Sequence, residues 1–394
     1  MTKHDVIIIG GGPGGSTLAA YLAKAGVNVG IFEREIFPRF HIGESLLPAS
    51  MPIFKETGFY EKLKAGKYIE KFGARFIDYR SEDEVYFGFQ DGFNSDIPSA
   101  FEVERAEFDK DILAHAANCG ATVYQPERVK DVQLLEHSVI VKTNKSEYEA
   151  KFLVDATGRE AMMGKKTGER VLNQDLNNVA VFAHYTGVAR YAAQSEGDIT
   201  VALLPERSWS WVIPFKGERT SVGVVCSSEV FKGGADLSAY LDRMIATSSR
   251  LKNIMKDADR CSEVSVVSNY SHRSSQYGGN RWMSIGDAAT FLDPIFSSGV
   301  HVSVTSARLA SKIVLRALQE NLHLTEHEML TDYKKELDKG VARFHNLISM
   351  FYGSNFVEQM KKTLTLTRAR QSFTSAVAGD MWNDANFLFE KEVL

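Results

Sequence analysis

Six consecutive residues near the start, Gly10, Gly11, Gly12, Pro13, Gly14 and Gly15, restrict this chain more than any other part of it. They follow the apolar run Val6 to Ile9, which reads as a short strand buried on both faces. They precede residues 14–25, rich in alanine and leucine, which read as a helix, and residues 27–33, which read as a second strand. Strand, glycine turn, helix and strand within about 30 residues make a βαβ unit. In that setting Gly10, Gly12 and Gly15 satisfy the dinucleotide fingerprint. Gly10 permits the tight turn, Gly12 lets backbone approach a pyrophosphate, and Gly15 lets the helix pack closely on the strand. Pro13 and Ser16 open the helix whose N-terminus faces the phosphates. Glu33 closes the second strand, where an acidic side chain accepts ribose hydroxyls, and Arg34 follows it.

The rest of the chain does not continue as a simple repeat of that unit. At 394 residues it exceeds one ordinary domain. Residues 106–119 read as a helix with Phe108, Ile112 and Leu113 on one face, and 129–156 as a meander that begins at Val129. Residues 178–270 read as mostly strand with one helix near 237–248, and 300–319 and 326–364 are helical in pattern. The expected fold class is α/β: a discontinuous Rossmann-type nucleotide domain, an inserted antiparallel β-sheet domain and a C-terminal helical segment. The expected boundaries are 1–75, 100–165 and 270–320 for the first, 76–99 and 166–269 for the second, and 321–394 for the third.

A net charge of −4 without a long basic run argues against nucleic acid as a partner. No apolar run approaches the roughly 20 residues of a membrane span. No signal segment precedes the first strand pattern, and Cys119, Cys226 and Cys261 match no metal or redox spacing. A cytoplasmic protein without a metal is the expectation.

Three segments separate FAD from NAD. Residues 151–158 form an apolar strand ending in Ala156, Thr157 and Gly158, and resemble the second FAD-contact strand of glutathione-reductase-type flavoproteins. Arg105 stands at a helix start, within reach of cofactor phosphates or a flavin edge. Gly286 and Asp287 resemble the flavoprotein glycine-aspartate pair whose carboxylate meets the ribityl chain. Beyond them, residues 291–301 place an aspartate, a proline and a serine-serine-glycine turn ahead of an apolar helix, a ready anion site.

With these pieces in place, the chain resembles the flavin-dependent halogenases. The resemblance runs over most of residues 3–320. It rests on residues 291–301, on Trp209, Ser210, Trp211, Val212, Ile213 and Pro214, on Gly43 through Pro48, and on Lys71 through Ala74. It implies FAD used as FADH2, with O2 and chloride or bromide as co-substrates, and hypohalous acid as the halogenating agent. On the cofactor side it implies Gly43, Glu44, Ser45, Pro294, Ser297, Gly299 and Val300. The halide falls to the N–H groups of Ser298 and Gly299. Lys71 becomes the catalytic residue, either donating a hydrogen bond to hypohalous acid or forming a haloamine; Lys67 is the neighbouring alternative. Trp209 and Trp211 become site lining that keeps organic substrate from the flavin.

One departure bears on the substrate. Indole halogenases carry a glutamate where this chain has Phe296. Loss of that carboxylate implies a more electron-rich ring, a pyrrole or phenol, free or tethered to an acyl or peptidyl carrier protein, with residues 345–390 as the carrier-facing surface. Reduced flavin is expected from a separate NAD(P)H-dependent flavin reductase. The rival readings are an FAD-dependent aromatic monooxygenase, a prenyl-chain (geranylgeranyl-type) reductase, and a non-enzymatic flavoprotein.

Overall fold

The computed structural model describes residues 1–93, 96, 98–231, 236–320, 328–353 and 355–389, without the side chains of 172–176 and 269–270. Of the expected sheet region, residues 94, 95, 97 and 232–235 lie outside the described residues. So do 321–327, 354 and 390–394 of the expected C-terminal section.

The nucleotide fold forms as the glycine turn requires. Thr2–Ile9 pairs in parallel with Val29–Phe32 on one side and Glu147–Asp155 on the other, and Val29–Phe32 continues to Thr122–Tyr124. Trp282–Ser284 returns from late in the chain to pair in parallel with Glu147–Asp155. The hairpin Val129–Leu134 and Val139–Thr143 joins at Glu147–Asp155. Helices Pro13–Lys24, Arg105–Asn118 and Ser298–Glu320 cover one face, with Leu18, Leu22, Leu113, Val302 and Val314 buried in a shared core.

The second sheet runs in the order Thr290–Phe291, Ser265–Ser274, Arg170–Thr186, Thr220–Ser227, Trp209–Pro214, Ile199–Leu203, Gly73–Asp78, Glu84–Gly88. Its strands alternate as a sheet covered on both faces must. Along Arg170–Thr186, Val179, Val181 and Ala183 pack towards Leu241 and Met244, while Ala180 and Phe182 join the main core. The expectation of an antiparallel sheet meets one exception: Ile199–Leu203 runs parallel to Gly73–Asp78. These strands are separated by a long stretch of chain, so no hairpin fixes their relative direction. Where one helix was expected near 237–248 there are two, Leu237–Ile245 and Ser249–Ile254. The Ser248 side chain accepts from the N–H of Leu251 and starts the second helix.

A small third pairing, Ile69–Lys71 with Ala100–Glu102, bridges the two sheets. The helices Glu328–Tyr352, Phe356–Thr363 and Thr367–Val377 close the far side, the last two against the edge strand Glu84–Gly88. Phe76, Phe296, Phe351 and Phe356 meet there as a ring cluster with centroids 5.5 to 6.5 Å apart. Among the described residues no helix is long and apolar enough to cross a membrane.

Candidate functional site

One deep cleft runs from the glycine turn to the tryptophan pair, between the nucleotide sheet and the second sheet. At its near end Gly10 has φ of +108°, and a Cβ there would lie 2.2 Å from the Ala156 carbonyl oxygen. A Cβ on Gly15 would lie 2.0 Å from the Gly10 carbonyl oxygen, so strand and helix are in backbone contact. Gly12 is the reverse case: a Cβ would meet nothing within 4 Å. Its backbone faces the cleft at the start of Pro13–Lys24, a helix with no acidic residue in its first turn. Glu33 is held by two backbone donors, Gly11 N–H to Oε2 and Glu35 N–H to Oε1, both 2.9 Å. Arg34 lines the same end and pairs with Glu160.

Gly10, Gly12, Pro13, Glu33, Arg34, Val129, Ala156 and Gly158 all line this end of the cleft. Gly15 and Ser16 do not. Gly15 is the helix–strand contact, and the Ser16 hydroxyl donates to the Gly11 carbonyl at 2.9 Å, bracing the turn from behind.

The middle is built by Arg105 and the loop it holds. Its guanidinium donates from Nε and Nη2 to Asp109, at 2.8 and 3.0 Å, and from Nη1 to the Ile42 carbonyl at 2.8 Å. Arg39 adds a 2.8 Å bond to the same carboxylate. Burial pushes Asp109 up, but the charge and hydrogen bonds of Arg105, with Arg39 and His41, together outweigh it and hold the carboxyl below its ordinary value. Gly43, Glu44, Ser45 and Arg105 therefore reach the cleft on a fixed loop. Across from them, burial pushes the Asp287 carboxyl up to about 6 against the pull of Arg159 and Arg105.

The far end is the turn before Ser298–Glu320. Asp293 Oδ1 accepts from the Ile295 N–H at 3.0 Å, and its Oδ2 accepts from Asn178 at 2.6 Å and from the Tyr352 hydroxyl at 3.0 Å. Trp209 Nε1 donates to the same hydroxyl at 3.0 Å. Ser297 takes φ of +55°, the left-handed region that costs a non-glycine residue about 1 kcal/mol or more, and turns the chain into the helix. Pro294, Ser297, Gly299 and Val300 line the cleft here, and a Cβ on Gly299 would meet nothing within 4 Å. Ser298 does not line it: its side chain is buried beneath the turn. Trp209 and Trp211 form the wall, their rings 5.8 Å apart and tilted by 51°.

Phe296 and Lys71 lie off the cleft as well. Phe296 points away from it into the ring cluster, because the left-handed residue after it reverses the chain. Lys71 is 1% exposed and meets the cleft lining at Ser45. Its Nζ donates to Ser45 Oγ at 2.7 Å and to the Leu46 carbonyl at 3.0 Å, and lies 5.4 Å from the Phe89 ring centroid. Burial lowers its proton affinity, opposed by Glu102 and Asp198. Lys67, by contrast, is on the surface, paired with Glu107 and Asp111.

Residues that the sequence reading left out also line the cleft, among them His41, Glu127, Arg128 and Arg159. Arg159 had a signal, standing next to Gly158. Glu127 had none, since it is placed by its own N–H donating to the Glu33 carbonyl at 2.7 Å. Among the described residues no group of three or more His, Cys, Asp or Glu is arranged to hold a metal ion.

These residues fit FAD. Backbone open to a ligand at Gly12 and Gly299 marks the two ends of the cleft, a carboxylate stands at each of Glu33 and Asp287, and a tryptophan wall closes the far end. Residues 3–341 match the family described as FAD binding domain. A 1H-pyrrole-2-carbonyl-[peptidyl-carrier protein] chlorinase of Pseudomonas fluorescens is 34% identical over 388 residues, covering 91% of this chain and 86% of the relative. The structure of a flavin-dependent brominase superposes with a TM-score of 0.86 at 28% identity, covering 97% of this chain and 95% of that one. A flavoprotein/dehydrogenase of Cytophaga hutchinsonii superposes with a TM-score of 0.89 at 28% identity, over 98% and 95% of the two chains. A flavin-binding fold over most of its length and this likeness to enzymes that install halogens show that the chain belongs to the FAD-dependent halogenases.

Proposed function

We propose that this halogenase acts on an electron-rich ring, a pyrrole carried as a thioester on a carrier protein, with Lys71 as its catalytic residue. Bound FAD, reduced and in the presence of O2, supplies the oxidising equivalents that turn halide into hypohalous acid. The protein's own part is to hold the anion, keep organic substrate off the flavin and guide the oxidant to the ring. The backbone at Ser298 and Gly299 is the proposed halide site: it opens a helix whose first turn carries no acidic residue, so N–H groups and the helix dipole favour an anion. Trp209 and Trp211 exclude the ring from the cleft.

The observation that carries this reading is the position of Lys71, fully buried and separated from the flavin cleft by Ser45 alone. A nitrogen there meets hypohalous acid leaving the cleft before any ring does. In the final step hypohalous acid and the ring's C–H give the carbon–halogen bond and water. The ring side, bounded by Phe296 in place of a carboxylate, suits a substrate that needs no extra anion to stabilise its cationic intermediate. The pyrrole-carrier activity named for the Pseudomonas relative supports the tethered substrate. A separate NAD(P)H-dependent flavin reductase is the proposed source of reduced flavin.

The test is turnover with a flavin reductase, FAD, NADH, O2 and mixed chloride and bromide, offering pyrrole-2-carbonyl thioester on a peptidyl carrier domain beside free phenols. A halogenated pyrrolyl carrier, read by intact-protein mass, is expected. Halogenated phenol with an unchanged carrier would move the substrate assignment. Hydroxylated products alone would return the chain to the monooxygenase reading.

A further inference from the structure

The Lys71 nitrogen has one neighbour that the reaction above does not use. Glu102 lies in Ala100–Glu102, paired with the strand that ends at Lys71, and its Oε1 is 3.9 Å from Lys71 Nζ. Both side chains are no more than 1% exposed. Among the described residues neither Glu102 oxygen accepts a well-formed hydrogen bond, and the Ser45 hydroxyl is the donor that acts on it. A buried carboxylate without well-formed hydrogen bonds is costly to keep, and so is a buried lysine, unless each answers the other. Ser45 joins them: its backbone bridges to Glu102, its hydroxyl accepts from Lys71, and its other side lines the flavin cleft. Burial lowers the proton affinity of Lys71 and pushes the Glu102 carboxyl up to about 8 against the pull of Lys71 and the Ser45 hydroxyl. Both groups are thus moved towards their neutral forms, the condition under which one proton passes easily between them.

The Lys71 nitrogen uses two of its N–H groups on Ser45 and Leu46, which is the full donor set of a neutral amine. An ammonium has a third, and at 3.9 Å Glu102 is the group nearest to receive that proton. The other charged groups that face this site are few. Asp198 acts on both Lys71 and Glu102, but its Oδ1 accepts from the Phe72 N–H and its Oδ2 from the Tyr86 hydroxyl. Glu44 acts on Glu102 and is itself met by His184 at 3.2 Å.

We propose that Glu102 is the proton partner of Lys71, a positioning residue that holds the amine ready at the cleft wall through Ser45. The proton that leaves the lysine nitrogen goes to the Glu102 carboxylate, giving a neutral amine and a carboxylic acid, and it returns by the same route. The inference rests on the reading of Lys71 as the catalytic residue. It places the site's carboxylate on a strand beside the lysine, where the halide-side loop has only Phe296.

Two measurements on the FAD-loaded full chain test it, and they fail independently of each other. The first is a double-mutant cycle on urea midpoints with Lys71→Met, Glu102→Gln and the double variant. Each single change leaves one buried group unanswered, so the double variant is expected to be more stable than the two losses added together. Simple additivity would overturn the partnership. The second is the pH profile of halogenation in Glu102→Gln. Removing a negative neighbour lowers the proton affinity of Lys71, so the limb that depends on Lys71 moves to lower pH by on the order of one unit. The direction is the same whether the reaction uses the ammonium or the amine. A uniform loss of rate with an unmoved limb marks a structural role only and overturns the proposal. Halogenation retained in Lys71→Met would overturn the role of Lys71 instead, and the cycle would still decide whether the two groups share a proton.

Discussion

Gly12 and Gly15 stand three residues apart in one motif and do opposite things. Gly15→Ala pushes a methyl against the Gly10 carbonyl, so a loss of about 1–3 kcal/mol in urea denaturation of the flavin-free protein is expected. Gly12→Ala has open space around it and should leave that stability within about 0.5 kcal/mol. Its effect is expected in FAD titration, as a roughly tenfold weaker affinity, because the methyl occupies the approach to the pyrophosphate. Lys71→Met should lower halogenation roughly a hundredfold or more while FAD affinity is retained, since Lys71 does not touch the cleft directly. Much of the cleft lining at this scale was legible, because glycine, glutamate and arginine at fixed offsets from a strand carry their own geometry. Glu102 was not legible. Its meaning comes from a two-strand register that sets it beside a lysine 31 positions earlier, and no local pattern encodes that pairing.

The informative element is the turn from Asp293 to Gly299. Its residues combine a side-chain cap at Asp293, a left-handed Ser297 and an open Gly299. Ser297→Gly relieves the backbone and is expected to be close to neutral in stability. Ser297→Val, which resists that conformation, should cost about 1–3 kcal/mol and weaken both FAD and halide binding, measured by denaturation and flavin titration with bromide. The anion-friendly character of this turn was readable from Ser297, Ser298 and Gly299 preceding an apolar run. The direction of Phe296 was not, because it depends on the handedness of the residue after it. The same holds for the direction of Gly73–Asp78, whose parallel neighbour comes from a distant part of the chain.

Across the whole molecule, one hydroxyl ties three parts together. Tyr352, on a C-terminal helix, donates to Asp293 of the turn before Ser298–Glu320 and accepts from Trp209 of the second sheet. Tyr352→Phe leaves a buried carboxylate and an indole N–H each short of a partner. A loss of about 1–3 kcal/mol is expected in urea denaturation, with altered tryptophan emission from the loosened wall. Retention of wild-type stability and emission would show that this hydroxyl does not hold the turn and the wall together. The order of the helices was readable from their periodicity. The tie made by Tyr352 was not, since it requires three distant segments to converge.

The aromatic cluster on the far side has a practical side. Phe76, Phe296, Phe351 and Phe356 stand on a strand, a turn and two successive helices, and none of them lines the flavin cleft. Library design can therefore treat the two halves as separate parts. Because all four rings are buried, trimming any one of them opens a cavity in this core while the flavin cleft keeps its own walls.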